Sequence, residues 1–188
     1  MKRKRILLLV SVAFALLLLA ALAWAVYGRL TRGVLLVSAH VSLSGADASR
    51  PRVRLYLLDD DMMRLALVKG GEPSPLQEKV FRENPRLRNL AGVMNARRRE
   101  AYSLGPEVSN FVEQSRPLWQ PHVLKSAETD ANGRAAFYNL LPGDYWLMGT
   151  AETPGGGVAF WNLFVTVGRG ETSVRLEPAN SLQCSGCQ

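Results

Sequence analysis

The chain contains few side chains whose type and spacing could support a chemical reaction. Cys184 and Cys187 are separated by two residues, which is the spacing of thiol redox motifs. A working redox cysteine lies at the N-terminus of a helix that lowers the pKa of its thiol, and no strand–helix–strand pattern surrounds this pair. The pair therefore predicts a small disulfide or two free thiols, with thiol-redox chemistry as the alternative.

The two histidines of the chain, His40 and His122, do not form a zinc-peptidase motif. Such a motif needs a His and a Glu three residues apart together with a distant His. His40 is followed by Val-Ser-Leu and His122 by Val-Leu-Lys. The sequence therefore predicts no catalytic residue, no bound cofactor and no enzymatic activity.

Two groups of oxygen-bearing side chains are weak candidates for binding a hard cation. The segment from Glu128 to Gly133 has the alternating oxygens that begin a calcium loop, but Asn139 stands where that loop needs a glutamate. A hairpin turn is the better interpretation. The other group, Asp59-Asp60-Asp61, is typical of a solvated strand end. The candidate ligands are Asp59, Asp60, Asp61, Asp130 and Asn132.

The positive charge of the chain is concentrated at its beginning. The net charge is +7, yet six of the 23 Lys and Arg residues precede residue 33 and all 16 Asp and Glu residues follow it. The near-neutral remainder argues against nucleic-acid binding. Residues 6–27 contain no charge and are long enough to cross a bilayer. They predict a transmembrane signal-anchor that follows a cytoplasmic basic tail at residues 1–5, with a linker at 28–33 and an extracytoplasmic remainder. The alternative is a signal peptide cleaved after Ala23-Trp24-Ala25.

The remainder of the chain alternates apolar and polar residues in seven short segments separated by turn residues. This pattern is typical of a β-sandwich. The predicted strands cover 34–43, 53–58, 123–127, 134–140, 144–152, 158–167 and 172–177. Between the second and third strands, residues 75–118 follow a helical pattern and predict a helical insertion. Asn84-Pro85 is a helix start within it. The tail, residues 179–188, carries the two cysteines.

The stretch from Glu128 to Leu147 resembles the signature of carboxypeptidase regulatory-like domains. In that family a T-D-x-x-G turn precedes a strand with a buried Phe, and L-x-P-G-x-Y leads into the next strand. The matching residues are Thr129, Asp130, Gly133, Phe137, Leu140, Pro142, Gly143 and Tyr145. The resemblance implies a mainly β, seven-stranded, transthyretin-like Greek-key sandwich over residues 34–178. It also implies a non-catalytic folding, binding or spacer module.

Large apolar side chains are predicted on the outer face of this sandwich. If Tyr145 and Leu147 point inward, Trp146 and Met148 point outward, as do Phe160 and Phe164 on the 158–167 strand. We expect the helical insertion to cover them, and what stays open to bind a partner or a sugar. The arginines of the insertion would face water or anionic groups near the membrane. The candidate binding surface is Trp146, Phe160, Phe164, Arg97, Arg98 and Arg99.

These observations predict a membrane-anchored, extracytoplasmic binding or structural module of a cell envelope. Its expected partners are the membrane, through residues 6–27, and an envelope protein or polymer. One alternative is a membrane-tethered enzyme or thiol-redox protein that uses Cys184 and Cys187. A second alternative is a carbohydrate-binding module.

Overall fold

The computed structural model describes residues 17–19, 31–42, 51–68, 72–97, 107–153 and 157–185. Within them the strands are β1 Gly33–Ala39, β2 Arg54–Leu58, β3 Val123–Glu128, β4 Arg134–Leu140, β5 Gly143–Glu152, β6 Val158–Val167, β7 Gly170–Leu176 and β8 Gln183–Ser185. The α-helices are α1 Met62–Ala66, α2 Pro75–Glu83, α3 Pro85–Arg97, α4 Glu107–Gln114 and α5 Arg116–Trp119. Short 3₁₀ turns cover Gln120–His122 and Pro178–Asn180.

The strands form two sheets that pack against each other. One sheet has the order β4-β1-β7, in which β1 is antiparallel to β4 and parallel to β7. The other has the order β3-β2-β5-β6-β8 and is antiparallel throughout. A single apolar cluster joins them, because it contains Leu35 and Phe137 from the first sheet and Leu55, Leu147 and Trp161 from the second. The expectation of a mainly β sandwich with added helices is confirmed.

The predicted strands are all present, and the two-residue period explains why. Along β1, the side chains of Leu35, Val37 and Ala39 are buried while those between them are half-buried. β4 and β6 have the predicted bounds. The prediction of seven strands misses β8, a three-residue strand that pairs with the first residues of β6. So short a segment has no detectable alternation.

The helices form a layer on the outer face of the five-stranded sheet, called here the helical unit (residues 62–122). They share a second apolar cluster with that face, to which Phe81, Leu87, Phe111 and Trp119 contribute large side chains. Burial of this cluster supplies the main driving force for packing the helices onto the sheet. The unit begins at Met62 and not near residue 75 as expected, since the short helix α1 follows β2 directly.

Helix starts within the unit follow the expected capping chemistry. Asn84 precedes Pro85, and its side-chain oxygen accepts a hydrogen bond from the backbone N–H of Leu87 at 3.2 Å, as the sequence predicts. Ser74 and Gln77 form a capping box at the start of α2. The side chain of Gln77 also donates to the carbonyl oxygens of Leu65 and Leu67, at 2.8 and 3.2 Å. This buried amide ties α2 to the end of α1.

The predicted basic tail (1–5) and most of the predicted transmembrane segment (6–27) lie outside the described residues. Residues 17–19 are described and are helical. Among the helices that the structure describes, none is both long and apolar enough to cross a bilayer. The signal-anchor therefore stays a prediction from the sequence.

Candidate binding surface

The outer face of the five-stranded sheet carries the large apolar side chains that alternation predicts. Trp146 lies opposite Phe164 across β5 and β6, and opposite Leu58 across β5 and β2. Met148 lies opposite Asn162 in the next row. The other face of the same strands, with Leu147, Trp161 and Val165, belongs to the core between the two sheets.

The helical unit covers most of this outer face. Met148 is fully buried and Phe160 is 1% exposed, and both pack in the cluster formed with the helices. Trp119 from α5 meets Tyr56 of β2 edge to face, with 5.2 Å between ring centroids. Phe160 was expected to contribute to a binding surface, and this expectation is wrong because α4 and its neighbours cover it.

Phe164 is the large aromatic side chain that the helical unit leaves open. It is 56% exposed. Its ring meets the half-buried ring of Trp146 edge to face, with 5.6 Å between centroids and 68° between ring planes. We call these two residues the aromatic pair. Because Trp146 also packs against the helical cluster, one side of the pair is fixed and the other faces solvent.

Polar groups adjoin the aromatic pair on the same face. Asp144 and Thr166 are opposite each other, two residues along the strands from Trp146 and Phe164. The Thr166 hydroxyl donates to Oδ1 of Asp144 at 2.7 Å, and both residues are exposed. The pair and this hydrogen bond together form a small surface with an apolar part and a part that can exchange hydrogen bonds with a ligand.

The carboxylates of Asp59, Asp60 and Asp61 each have a different partner. Asp59 contacts Nδ1 of His122 at 2.8 Å. Asp60 pairs with Arg64, the fourth residue after it. Asp61 is 8% exposed and caps α1 by accepting from the backbone N–H of Met63 at 2.9 Å. Asp59 is exposed at the strand end as expected, whereas Asp61 is buried.

Asp61 also accepts a hydrogen bond from Nδ2 of Asn162 on β6 at 2.7 Å. Asn162 is 9% exposed, and its Oδ1 has no partner among the described atoms. Sequence reasoning missed this contact. The signal for it was a single polar residue on the outer face of β6, between Phe160 and Phe164. Within the described ranges, no three His, Cys, Asp or Glu side chains are placed to hold a metal ion.

The β3–β4 turn positions the first half of the resemblance motif. Thr129 is 2% exposed, and its hydroxyl accepts from the backbone N–H of Val53 at 2.9 Å. Oδ1 of Asp130 accepts from the backbone N–H groups of Asn132 and Arg134, at 2.9 and 2.8 Å. Gly133 has a φ of 75°, which other residues adopt at a cost. Asp130 and Asn132 therefore act in this turn, as the hairpin interpretation requires.

The β4–β5 turn positions the second half. Phe137 and Leu140 are buried in the core between the sheets. The Tyr145 hydroxyl donates to the carbonyl oxygen of Leu141 at 2.6 Å, which gives this half-buried phenol its partner. Gly143 begins β5 without a positive φ; Asn139 adopts one instead, at 58°. The left-handed residue near this turn is thus Asn139, inside β4, and not the glycine of Pro142-Gly143.

The remaining predicted site residues lie at or beyond the limits of the description. α3 ends at Arg97, and Arg98 and Arg99 lie outside the described residues. Cys184 lies in β8, where it pairs with Ala159, and Cys187 lies outside. A binding surface shared by these arginines and the aromatic pair therefore stays a prediction, as does a disulfide between the cysteines.

The helical unit also contains an open groove of about 400 Å³ that sequence reasoning missed. It lies along α2 and the start of α3, and its walls carry both charges. Arg82 is 3.5 Å from Glu78 within it, so one of its cations already has a counterion. The lining residues are Glu72, Pro73, Glu78, Phe81, Arg82 and Arg88.

The sequence matches no protein-family model, and no curated protein matches it. Among solved structures, the chain is similar to a protein of Pseudomonas aeruginosa that is provisionally described as a carbohydrate binding protein. The two sequences are 18% identical, and the match covers 79% of this chain and 89% of that protein. The TM-score is 0.33. A likeness of this strength does not bear on what this chain binds.

Proposed function

We propose that the chain is a non-catalytic binding module of a cell envelope, held at a membrane by residues 6–27 with its N-terminus in the cytoplasm. The observation that carries this proposal is the exposure of Phe164 on a fixed Trp146. An exposed aromatic ring that rests on a packed tryptophan is the kind of anchor that binding surfaces use. The expected partner is a protein or polymer of the envelope.

The carboxylates near this surface support a binding role over a catalytic one. A catalyst needs titratable groups that converge on a pocket. Here Asp59, Asp60 and Asp61 point to three different partners, and Asp144 is engaged by Thr166. Each carboxylate thus has a local structural role. The thiol-redox alternative through Cys184 and Cys187 stays a separate hypothesis.

We further propose that the sandwich is a carboxypeptidase regulatory-like domain of the transthyretin-like class. Three residues of the motif support this, because each has the structural task that the motif implies. Thr129 joins β3 to the start of β2, Asp130 organises the turn, and Tyr145 secures the β4–β5 connection. In that class the sandwich is a spacer or binding module, which agrees with the absence of a peptidase motif from the sequence.

Photo-crosslinking of the membrane-bound, full-length chain tests the binding role. A benzophenone amino acid placed at Phe164 of the full-length chain, expressed in a host with a cell envelope, should crosslink to one protein or polymer species. The matched probe at Leu76, which is 47% exposed on α2, should not capture that species. Trp146→Ala should abolish capture from position 164. Equal capture from both positions, or none from position 164, would contradict the proposal.

A carbohydrate ligand is the second candidate, favoured by the hydrogen-bonded Asp144 and Thr166 beside the aromatic pair. Sugars are bound by stacking on aromatic rings together with hydrogen bonds to their hydroxyl groups. Binding of the detergent-solubilised chain to an array of envelope glycans should then fall at least several-fold for both Phe164→Ala and Asp144→Ala. If a glycan binds wild type and both variants equally, this surface is not a sugar site.

A further inference from the structure

The two ends of the sandwich differ in the chemistry of their turns. At one end the chain enters β1 at Gly33, and the β4–β5 turn (residues 141–142) and the β6–β7 turn (168–169) lie beside it, since Gly33 pairs with both Leu140 and Gly170. We call these two turns with Arg32 the tip. At the other end lies the polar β3–β4 turn, Asp130–Gly133.

The tip presents one exposed apolar side chain and two exposed cations. Leu141 is 62% exposed at the turn that follows β4. Arg32 and Arg169 are exposed on either side of β1, and Nη1 of Arg32 donates to the carbonyl oxygen of Asn139 at 3.0 Å. The acids nearest to the tip, Asp144 and Glu171, are each one residue inside their strands.

Exposed aromatic side chains lie just behind the tip on both sheets. Tyr138 is 61% exposed and lies two residues before the end of β4, or about 7 Å along the strand. Phe164 lies three residues before the end of β6, or about 10 Å. Tyrosine and tryptophan are enriched where a protein meets lipid head groups, because one part of each ring is apolar and another polar. Tyr138 and the half-buried Trp146 have that chemistry, at about 7 and 10 Å from the tip ends of β4 and β5.

The sequence places the tip close to the predicted anchor. Only residues 28–32 separate the apolar run 6–27 from β1. Five residues span at most about 17 Å when fully extended. Because the chain enters the sandwich at the tip, the tip is the part of the module that the anchor holds nearest to the bilayer, and the Asp130–Gly133 turn lies a full strand length farther away.

We infer that the tip rests on the bilayer, with Leu141 in the interfacial region and Arg32 and Arg169 at lipid phosphates. This inference rests on the proposed membrane anchor and adds an orientation to it. The aliphatic part of an arginine side chain can lie along apolar surface while its guanidinium group reaches a lipid phosphate. The two guanidinium groups would therefore lie in the phosphate layer and the leucine in the layer just below it. The aromatic pair then lies immediately above the head groups, and its partner is bound at the membrane surface.

Lipid-attached quenchers test this orientation in the full-length chain. Leu141→Cys and the control Ala131→Cys, in a Cys184→Ser, Cys187→Ser background, each receive an environment-sensitive fluorophore and are reconstituted into phosphatidylcholine nanodiscs. A nitroxide on the upper part of the acyl chain should quench most of the fluorescence at position 141 and little at position 131. Emission at position 141 should shift to shorter wavelength. Pro142→Cys repeats the measurement should the first variant fold poorly.

Two controls separate this inference from the anchor on which it rests. If carbonate extraction releases the chain from membranes, the anchor itself is wrong. If the chain resists carbonate but position 141 responds like position 131, or responds only to a quencher on the head group, the anchor stands and the orientation is wrong. Protection of position 141 from aqueous iodide in native membranes, without quenching by lipid nitroxide, would mean that a protein covers the tip and would also overturn the inference.

Discussion

The side-chain amide of Asn162 donates a hydrogen bond to the carboxylate of Asp61 at 2.7 Å, and both residues are buried between the helical unit and the sheet. The contact joins the centre of β6 to the N-cap of α1, which are separated by 101 residues in the chain. Most of this interface is apolar. A directional contact within it sets where the first helix begins relative to the outer face of the sheet.

Replacing Asp61 should therefore destabilise the fold in a specific way. Asp61→Ala removes a helix cap and leaves the buried amide of Asn162 without its acceptor, which together should cost about 2–3 kcal/mol of unfolding free energy. Asp61→Asn keeps an acceptor oxygen and should cost less than half as much. Urea denaturation measures both. As a control, Asp60→Ala breaks only the pair with Arg64, whose side chain is 57% exposed, and should change stability little. Equal losses from Asp60→Ala and Asp61→Ala would contradict this account.

The two glycines of the turn motifs should respond differently to substitution. Gly133 has a φ of 75°, so Gly133→Val should cost about 1–3 kcal/mol, because a β-branched residue resists that conformation. Gly143 lacks a positive φ, and an added Cβ would meet nothing within 4 Å. Gly143→Ala should thus change the thermal midpoint by little. A large loss at Gly143 would show that the β4–β5 turn depends on its glycine after all.

Gly33 is required for a different reason, because the β6–β7 turn lies against its Cα and leaves no room for a side chain. A Cβ at this position would lie 2.3 Å from the carbonyl oxygen of Gly168 and 2.7 Å from Cγ1 of Val167. Gly33→Ala should therefore separate β1 from the β6–β7 turn and cost about 1–3 kcal/mol, as other overpacked sites do. Gly168→Ala is the matched control, since its Cβ would meet nothing within 4 Å. Differential scanning calorimetry of the two variants measures this difference. Equal shifts of the two thermal midpoints would refute the role of close packing at Gly33.

Gly92 offers a stabilising substitution. It lies within α3, is exposed, and an added Cβ would meet nothing within 4 Å. Alanine is favoured over glycine in a helix by about 0.5–1 kcal/mol, so Gly92→Ala should raise the thermal midpoint. The helical unit should gain in hydrogen-exchange protection at the same time. An unchanged midpoint would indicate that α3 contributes little to the cooperative unit.

Much of the sandwich could be predicted from local pattern, whereas the open part of its surface could not. A period of two residues locates β4 and β6, and Asn84-Pro85 locates the start of α3. Phe160 and Phe164 are on the same face of the same strand, and alternation treats them alike. They differ in exposure because the helical unit covers Phe160 and does not reach Phe164. The edge of that cover depends on the packing of α1, α4 and α5. The role of Asp61 was likewise hidden, because its partner is a distant residue.

The position of β1 has a consequence for how the chain is made. β1 is the first strand of the sandwich, yet it is the middle strand of its sheet and pairs with β4 and β7. During synthesis it stays without hydrogen-bonding partners on one side until residue 176 has emerged. Pairings between such distant segments make folding slow and leave unsatisfied strand edges open to other chains. A nascent chain truncated before β7 should therefore be the species that aggregates or recruits chaperones.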